Sequence, residues 1–212
     1  MSRSIIIGVD MFVVIEGGDA AGKTTLINGL KECIKNGLGV LSSQSTVFLK
    51  SPTAPFDVTW KELIKTATPL TRFYLFRSIA QNDIETARQA LLNGKHVVLE
   101  RYLLSTEAFN WALDEQYGIT APELRSENHI TYSGLIKPDI GLFLDVSDKT
   151  REQRLQRKNE RSDWENLEFQ TKFNAKLRQI AQRDNWCLID TDKLNAAEVL
   201  NKAAEKIIQY QR

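Results

Sequence analysis

Eight consecutive residues, Gly17-Gly18-Asp19-Ala20-Ala21-Gly22-Lys23-Thr24, constrain this chain more than any other part of it. The spacing GxxxxGK[ST] serves a tight turn whose backbone N–H groups converge on one centre, and residues without a Cβ make that approach possible. Such a loop needs a strand to deliver it and a helix to receive it. Phe12 to Ile15 is a short apolar, β-branched run of the kind that forms a buried parallel strand, and the spacing predicts a helix from about Lys23 to Asn36, before Gly37. That helix directs its positive end at the same centre. Lys23 adds a point charge for β and γ phosphates, and Thr24 a hydroxyl for Mg²⁺. The expected ATP-binding set is therefore Gly17, Gly18, Asp19, Ala20, Ala21, Gly22, Lys23, Thr24 and Thr25, with ATP as co-substrate.

Four more apolar runs follow. Val47 to Leu49 stops at Ser51-Pro52, Val97 to Leu99 follows the turn Asn93-Gly94, Ile140 to Val146 follows Pro138-Asp139 and carries Asp145 near its end, and Trp186 to Ile189 is the last. Between the second and third strands, Leu70, Phe73, Ile79 or Ala80, Ile84, Ala87 and Leu91 make one apolar stripe of a long helix. A final helix from about Ala196 carries Val199, Leu200, Ala203, Ile207 and Ile208 on one side. Strands alternating with helices predict an α/β protein of the P-loop NTPase fold, with a five-stranded parallel sheet flanked by helices. At 212 residues the chain suits one domain, over residues 11–212, with a helical lid at about 150–165 and residues 1–10 as a loose arm or upstream start.

Charge is balanced, with 28 Lys and Arg against 27 Asp and Glu, so the total argues for neither nucleic acid nor an acidic membrane surface as partner. Cys33 and Cys187 lack metal or redox spacing and read as free thiols, which fits the cytoplasm. No run approaches the roughly 20 apolar residues that span a bilayer.

A switch or motor ATPase needs only its triphosphate and a water, whereas a kinase must also hold an acceptor. Glu100-Arg101 follows the third strand directly, which brings both side chains to the carboxyl edge of the sheet, the edge of the phosphate loop itself. At this point the chain resembles the thymidylate kinase family. Glu16-Gly17-Gly18-Asp19-Ala20-Ala21-Gly22-Lys23-Thr24-Thr25 is similar to the family's EGxDxxGKTT, GKHVVLERYLLSTEAF (94–109) to its DRYxxSxxAYQ element, and KPDIGLFLDV (137–146) to its PDLTLYLDV strand.

That resemblance implies phosphorylation of a small nucleotide, most simply dTMP to dTDP, by a homodimer. It implies that Asp19 meets the acceptor sugar, that Arg101 grips the acceptor phosphate with Ser105 in support, and that Glu100 holds Mg²⁺ through water or orients the acceptor. The charged segment 151–161 is similar to the family's lid, and Arg154, Arg157, Lys158 and Arg161 would share one helical face there. The expected catalytic residues are Lys23, Glu100, Arg101, Arg154 and Arg161, with Thr24 and Glu100 toward metal.

The acceptor-base region departs from the family. Lys50-Ser51-Pro52-Thr53-Ala54-Pro55 stands where an Arg-Glu-Pro-Gly-Gly-Thr element is usual, and Phe109-Asn110 replaces Tyr-Gln. An ungapped register puts Ile79 at the thymine-reading arginine, while Phe73 and Arg77, spaced i and i+4, substitute for it in a shifted one. Phe73, Arg77 and Phe109 thus join Asp19, Arg101 and Ser105 as the expected acceptor site. Glu100-Arg101 also resembles the deoxyribonucleoside kinases, which leaves open a nucleoside 5′-hydroxyl kinase or a kinase of another nucleotide. A non-catalytic ATP-binding regulatory protein is the alternative of another class. Deoxyribonucleoside kinases use a glutamate after the second strand as base, and this chain has no acid there until Asp57.

Overall fold

The strand Phe12–Gly17 (β1) is apolar except for Glu16 and buried along its whole length, which requires a layer of structure on each of its faces. The computed structural model describes residues 10–38, 41–42, 44–118, 132–158 and 167–210. In it β1 lies at the centre of a five-stranded parallel sheet with β2 (Thr46–Lys50), β3 (His96–Glu100), β4 (Ile140–Asp145) and β5 (Cys187–Asp190), in the order β2-β3-β1-β4-β5. Each expected strand is present, with ends shifted by a residue or two. The helices among the described residues are α1 (Lys23–Lys35), α2 (Phe56–Thr66), α3 (Pro69–Leu92), α4 (Leu103–Tyr117), α5 (Asp148–Lys158), α6 (Leu167–Arg183) and α7 (Ala196–Tyr210). None of these helices is long and apolar enough to cross a membrane.

Side chains alternate across β1 as the strand period requires. Val13 and Ile15 pack against Leu26, Leu30 and Ile34 of α1 and Val199, Ala203 and Ile207 of α7, so the last helix does cover the sheet. Phe12 and Val14 meet Ile84 and Ala87 of α3 on the opposite face. A further aromatic cluster joins Phe73, Phe109, Phe169 and Phe173 from α3, α4 and α6. Full burial of each such aliphatic or aromatic side chain contributes about 1.5–3 kcal/mol. Cys33 and Cys187 are free and half-buried.

The long helix α3 begins where Thr68 Oγ1 accepts a hydrogen bond from Thr71 N at 3.3 Å, with Pro69 in the first turn. It ends at Asn93, and Gly94 at φ 68° takes the left-handed turn into β3 that a side chain disfavours. Its buried stripe starts at Phe73, because Leu70 is 42% exposed, and it includes one residue that apolar periodicity does not register, Asp83. Parallel registers align Ile15 with Glu100, Gly17 with Leu144 and Asp145 with Asp190. One rim of the sheet therefore carries the loop after β1, Glu100-Arg101 after β3, and the residues that follow β4 and β5.

Candidate active site

The loop leaves β1 through Gly17 at φ 146°, turns at Ala20 (φ 58°) and enters α1 through Gly22 at φ 97°. A Cβ on Gly17 would stand 2.6 Å from the Leu144 carbonyl oxygen, and one on Gly18 would collide with Asn174 Oδ1. Glycine at position 17 is thus a steric requirement of the sheet, whereas at position 18 a side chain would have to displace Asn174. Lys23 is buried and its ammonium folds back on the loop, donating to the carbonyls of Gly17 at 2.9 Å and Gly18 at 2.7 Å. Burial, then the charge of Arg101, pull its pKa down to about 7, against the opposing pull of Asp19, Glu100 and Glu16. A loop that holds a depressed ammonium at its centre has an anion's place prepared. Thr24 and Thr25 are exposed at the start of α1.

Across from Lys23, Arg101 sits at φ 65°, a left-handed conformation that a long side chain adopts only under local compulsion. The compulsion is visible. Its N–H donates to Ile15 O at 3.0 Å, Nη2 pairs with Asp19 Oδ1, and Nη1 donates to Ser105 Oγ at 3.1 Å. Ser105 Oγ in turn donates to Glu16 Oε2 at 2.5 Å, while Glu16 Oε1 accepts from the N–H groups of Tyr102 and Ser105 at 2.7 and 3.0 Å. Glu16 is fully buried, and desolvation raises its pKa in spite of these donors. Burial also works against the Asp19 carboxylate, yet the charges of Arg101, Lys23 and Arg151 hold its pKa below the usual range. Glu100 is buried at the end of β3 with Lys50 Nζ 3.9 Å from its carboxylate, and Arg101 turns instead to Asp19. Each of the two residues thus has its ion-pair partner on another segment.

On the other side of the loop, Arg154 of α5 donates through Nη1 to Ala20 O at 3.1 Å and through Nη2 to Thr191 O at 2.7 Å. It lines a cavity of about 300 Å³ with Gly22, Thr25, Arg157, Leu194 and Val199. This cavity begins where the phosphate loop ends, so the end of a bound nucleotide remote from its phosphates has room beside α1 and α7. Asp145, at the end of β4, is committed to Arg178, whose Nε lies 2.9 and 3.1 Å from its two oxygens. Arg161 and most of the expected lid beyond Lys158 lie outside the described residues.

Toward the expected acceptor base, Arg77 stands over the Phe73 ring at 4.3 Å, and Phe109 lies buried against Phe76, Phe169 and Phe173. Ile79 is 2% exposed in the core, so the shifted register, with Arg77 and Phe73, supplies the polar and aromatic side chains that the ungapped one lacks. The unusual loop after β2 is held by α3: Thr53 donates through N and Oγ1 to Asp83 Oδ1 at 2.8 and 2.7 Å, and Asn82 Nδ2 donates to Thr53 Oγ1 and Ala54 O. Burial raises the Asp83 pKa despite donors from Ser51 and Thr53.

Sequence reasoning assigned no role to Glu16, Asp83, Arg151 or Asn174. The first two did leave a signal, a carboxylate inside an apolar strand and another on an apolar helical stripe at i+4 from Ile79. The last two left none, because their burial depends on how α5 and α6 pack.

Together the parallel sheet, the loop and the opposed guanidinium define a phosphate-loop protein of the nucleotide kinase class. The family model for thymidylate kinase matches residues 15–203. A probable thymidylate kinase of Thermoplasma acidophilum is 26% identical over 200 residues, covering 93% of this chain and 96% of that protein. Among solved structures, a thymidylate kinase from Ehrlichia chaffeensis superposes with a TM-score of 0.67 at 21% identity, over 95% of this chain and all of that one. A deoxyadenosine kinase from M. mycoides gives 0.71 at 16% identity, over 94% of this chain and all of that one, and likenesses this distant speak for the fold alone. The chain belongs to the thymidylate kinase family, a family of phosphotransferases that use ATP as donor.

Proposed function

We propose that this protein is an ATP-dependent nucleoside monophosphate kinase that converts dTMP to dTDP. One observation carries the reading: Arg101 is fixed in a left-handed conformation between Asp19 and the Ser105–Glu16 pair, facing Lys23 across the loop. Holding a triphosphate requires Lys23 and the loop, but not a second oriented guanidinium. An acceptor phosphate arriving at Arg101 would replace the Asp19 carboxylate on Nη2, offering two oxygens to a planar fork and freeing Asp19 for the acceptor sugar. Ser105 and Glu16 keep the fork in plane while this exchange happens. The acceptor phosphate is already ionised, so no base is needed, and catalysis rests on position and on the charges of Lys23, Arg101 and the lid arginines Arg154 and Arg161.

The donor set suits Mg²⁺, which keeps most of its waters and takes few protein ligands. The Thr24 hydroxyl would bind it directly and Glu100 through water, and when bound it neutralises charge on the donor phosphates. No group of three or more His, Cys, Asp or Glu that could hold a metal occurs among the described residues.

A nucleoside kinase is the second reading, since Glu100-Arg101 is its strand-end pair. It needs a free carboxylate beyond β2, and the carboxylate nearest that loop in the fold, Asp83, is engaged by Thr53. Exposed Val58 and Leu63 on α2, with Leu70 and Tyr74 on α3, support the homodimer, and the free cysteines a cytoplasmic setting. Arg101→Ala is expected to abolish phosphorylation of dTMP in a coupled ADP-release assay while ATP affinity changes less than about threefold. Equal loss of ATP affinity would remove the acceptor role.

A further inference from the structure

Arg151, in the first turns of α5, is 1% exposed, among the most deeply buried large side chains of the protein. Its Nε and Nη2 have no hydrogen-bond partner. The nearest carboxylate, Asp148, stands 3.5 Å from Nε, is half exposed and makes no hydrogen bond to it. A buried guanidinium whose ion-pair partner is half exposed and leaves Nε and Nη2 without hydrogen bonds is costly on its own, so a site of this kind persists when a further anion completes it. The anion's position follows from the neighbours. Arg154, three residues further along α5, donates to Ala20 O at 3.1 Å, which sets this part of the helix against the loop, and the charge of Arg151 acts on Asp19 in the segment Gly18-Asp19. Against the same segment, from α6, lies Asn174, 7% exposed, with neither Oδ1 nor Nδ2 hydrogen-bonded and with Oδ1 in the space a Gly18 side chain would fill. Two helices thus bring buried polar side chains with unsatisfied hydrogen-bonding groups to one short stretch of the loop. Lys23 reaches the carbonyls of Gly17 and Gly18 at that stretch.

We propose that Arg151 is a catalytic residue for phosphoryl transfer, holding the terminal phosphoryl group of the triphosphate beside Gly18-Asp19, with Asn174 donating through Nδ2 to the same oxygens. The inference rests on the kinase reading, and it changes the source of the stabilising charge. Although Arg151 falls in the segment expected to form the lid, it is packed into the body of the protein in the first turns of α5, so its guanidinium is already in place. During transfer the bond from the γ phosphorus to the β–γ bridging oxygen breaks as one forms to an oxygen of the acceptor phosphate. The acceptor oxygen supplies the electron pair of the new bond, the pair of the broken bond leaves on the β-phosphate oxygen of ADP, and no proton need move. Negative charge on the three equatorial oxygens is met by Lys23 on one side and Arg151 on the other.

The test compares ADP with a non-hydrolysable β,γ-imido ATP analogue, by calorimetry and thermal melting without any acceptor, in wild type, Arg151→Met, Arg151→Lys and Asn174→Leu. Because no acceptor is present, a failure here is distinct from a failure of the dTMP assignment. In Arg151→Met the expected results are an unchanged or raised melting temperature without ligand, ADP affinity within about twofold of wild type, and analogue affinity reduced at least about tenfold. With acceptor added, kcat falls about a hundredfold at nearly constant acceptor KM, and Arg151→Lys recovers part of the loss. Asn174→Leu follows the same pattern with smaller losses. A lowered melting temperature with equal loss of ADP and analogue binding would assign Arg151 to structure alone and overturn the proposal, as would analogue binding that is unchanged in both Arg151→Met and Asn174→Leu.

Discussion

Binding of the triphosphate should be accompanied by protonation of Lys23, and the amount follows from the site. Without an anion, burial and the charge of Arg101 bring the Lys23 pKa from 10.5 to about 7. At about pH 8 some nine in ten molecules then carry it neutral, while the triphosphate is already ionised. Phosphate oxygens against the ammonium favour its charged form, so each binding event at that pH takes up about 0.9 proton. Calorimetry in two buffers of different ionisation enthalpy reads this number directly. The stability sign follows as well. With its pKa depressed in the fold, Lys23 binds fewer protons in the native than in the unfolded state between about 7 and 10.5, so its penalty is fully present below 7 and is relieved as pH rises through that window.

At pH 8 about 3.4 kcal/mol of the roughly 5 kcal/mol displacement still weighs on the fold, and two hydrogen bonds from the neutral amine to the Gly17 and Gly18 carbonyls return about 1–3 kcal/mol. Lys23→Met should therefore leave ligand-free stability within about 2 kcal/mol of wild type and abolish the proton uptake. Uptake below about 0.2 proton in wild type, or undiminished uptake in Lys23→Met, would refute the electrostatic account of the loop.

Glu16→Gln separates the buried carboxylate from its geometry. A carboxyl with a raised folded pKa loses stability as pH rises from 4.5 through that raised value, so urea unfolding of wild type should show this loss and Glu16→Gln should lack it, with acceptor KM up about tenfold as the Ser105–Arg101 contact loosens. Identical pH dependence in the two proteins would mean that Glu16 is not the buried acid described. Gly17→Ala places a methyl group 2.6 Å from the Leu144 carbonyl at a positive φ, and is expected to cost about 3 kcal/mol or more in denaturant unfolding and to eliminate ATP binding. Retained ATP affinity would show that the loop can shift away from β4.

The sheet and the donor half of the site were legible because their signals are local. Apolar runs of three to seven residues separated by helical stripes dictate a parallel sheet, and GxxxxGK[ST] fixes a loop whose geometry its own backbone determines. What stayed hidden depends on contacts between distant segments. The stripe on α3 gave Phe73, Ile84 and Ala87 but not Asp83, since periodicity reports burial of apolar residues and is silent on a carboxylate that the loop after β2 satisfies. The register of the expected acceptor helix was ambiguous by two residues in sequence, because the burial of Ile79 and the placing of Arg77 over Phe73 are set by packing that the sequence does not carry. Glu100 and Arg101 were found by their place at the end of β3, yet their partners, Lys50 at the end of β2 and Asp19 in the loop after β1, come from distant segments. Arg151 looked like one more cation in a charged run, and only the packing of α5 distinguishes it from Arg157, which lines the open cavity.

The central claim is that the guanidinium opposite the phosphate loop receives a nucleotide that already carries a phosphate. Incubating the purified protein with ATP and Mg²⁺ against dTMP, dUMP, dCMP, dGMP, UMP and free thymidine, with products resolved by chromatography, tests it most directly. The account predicts dTDP and ADP in equal amounts, the highest rate with dTMP, and no product from thymidine. Phosphorylation of free nucleosides with no nucleoside diphosphate formed would contradict it.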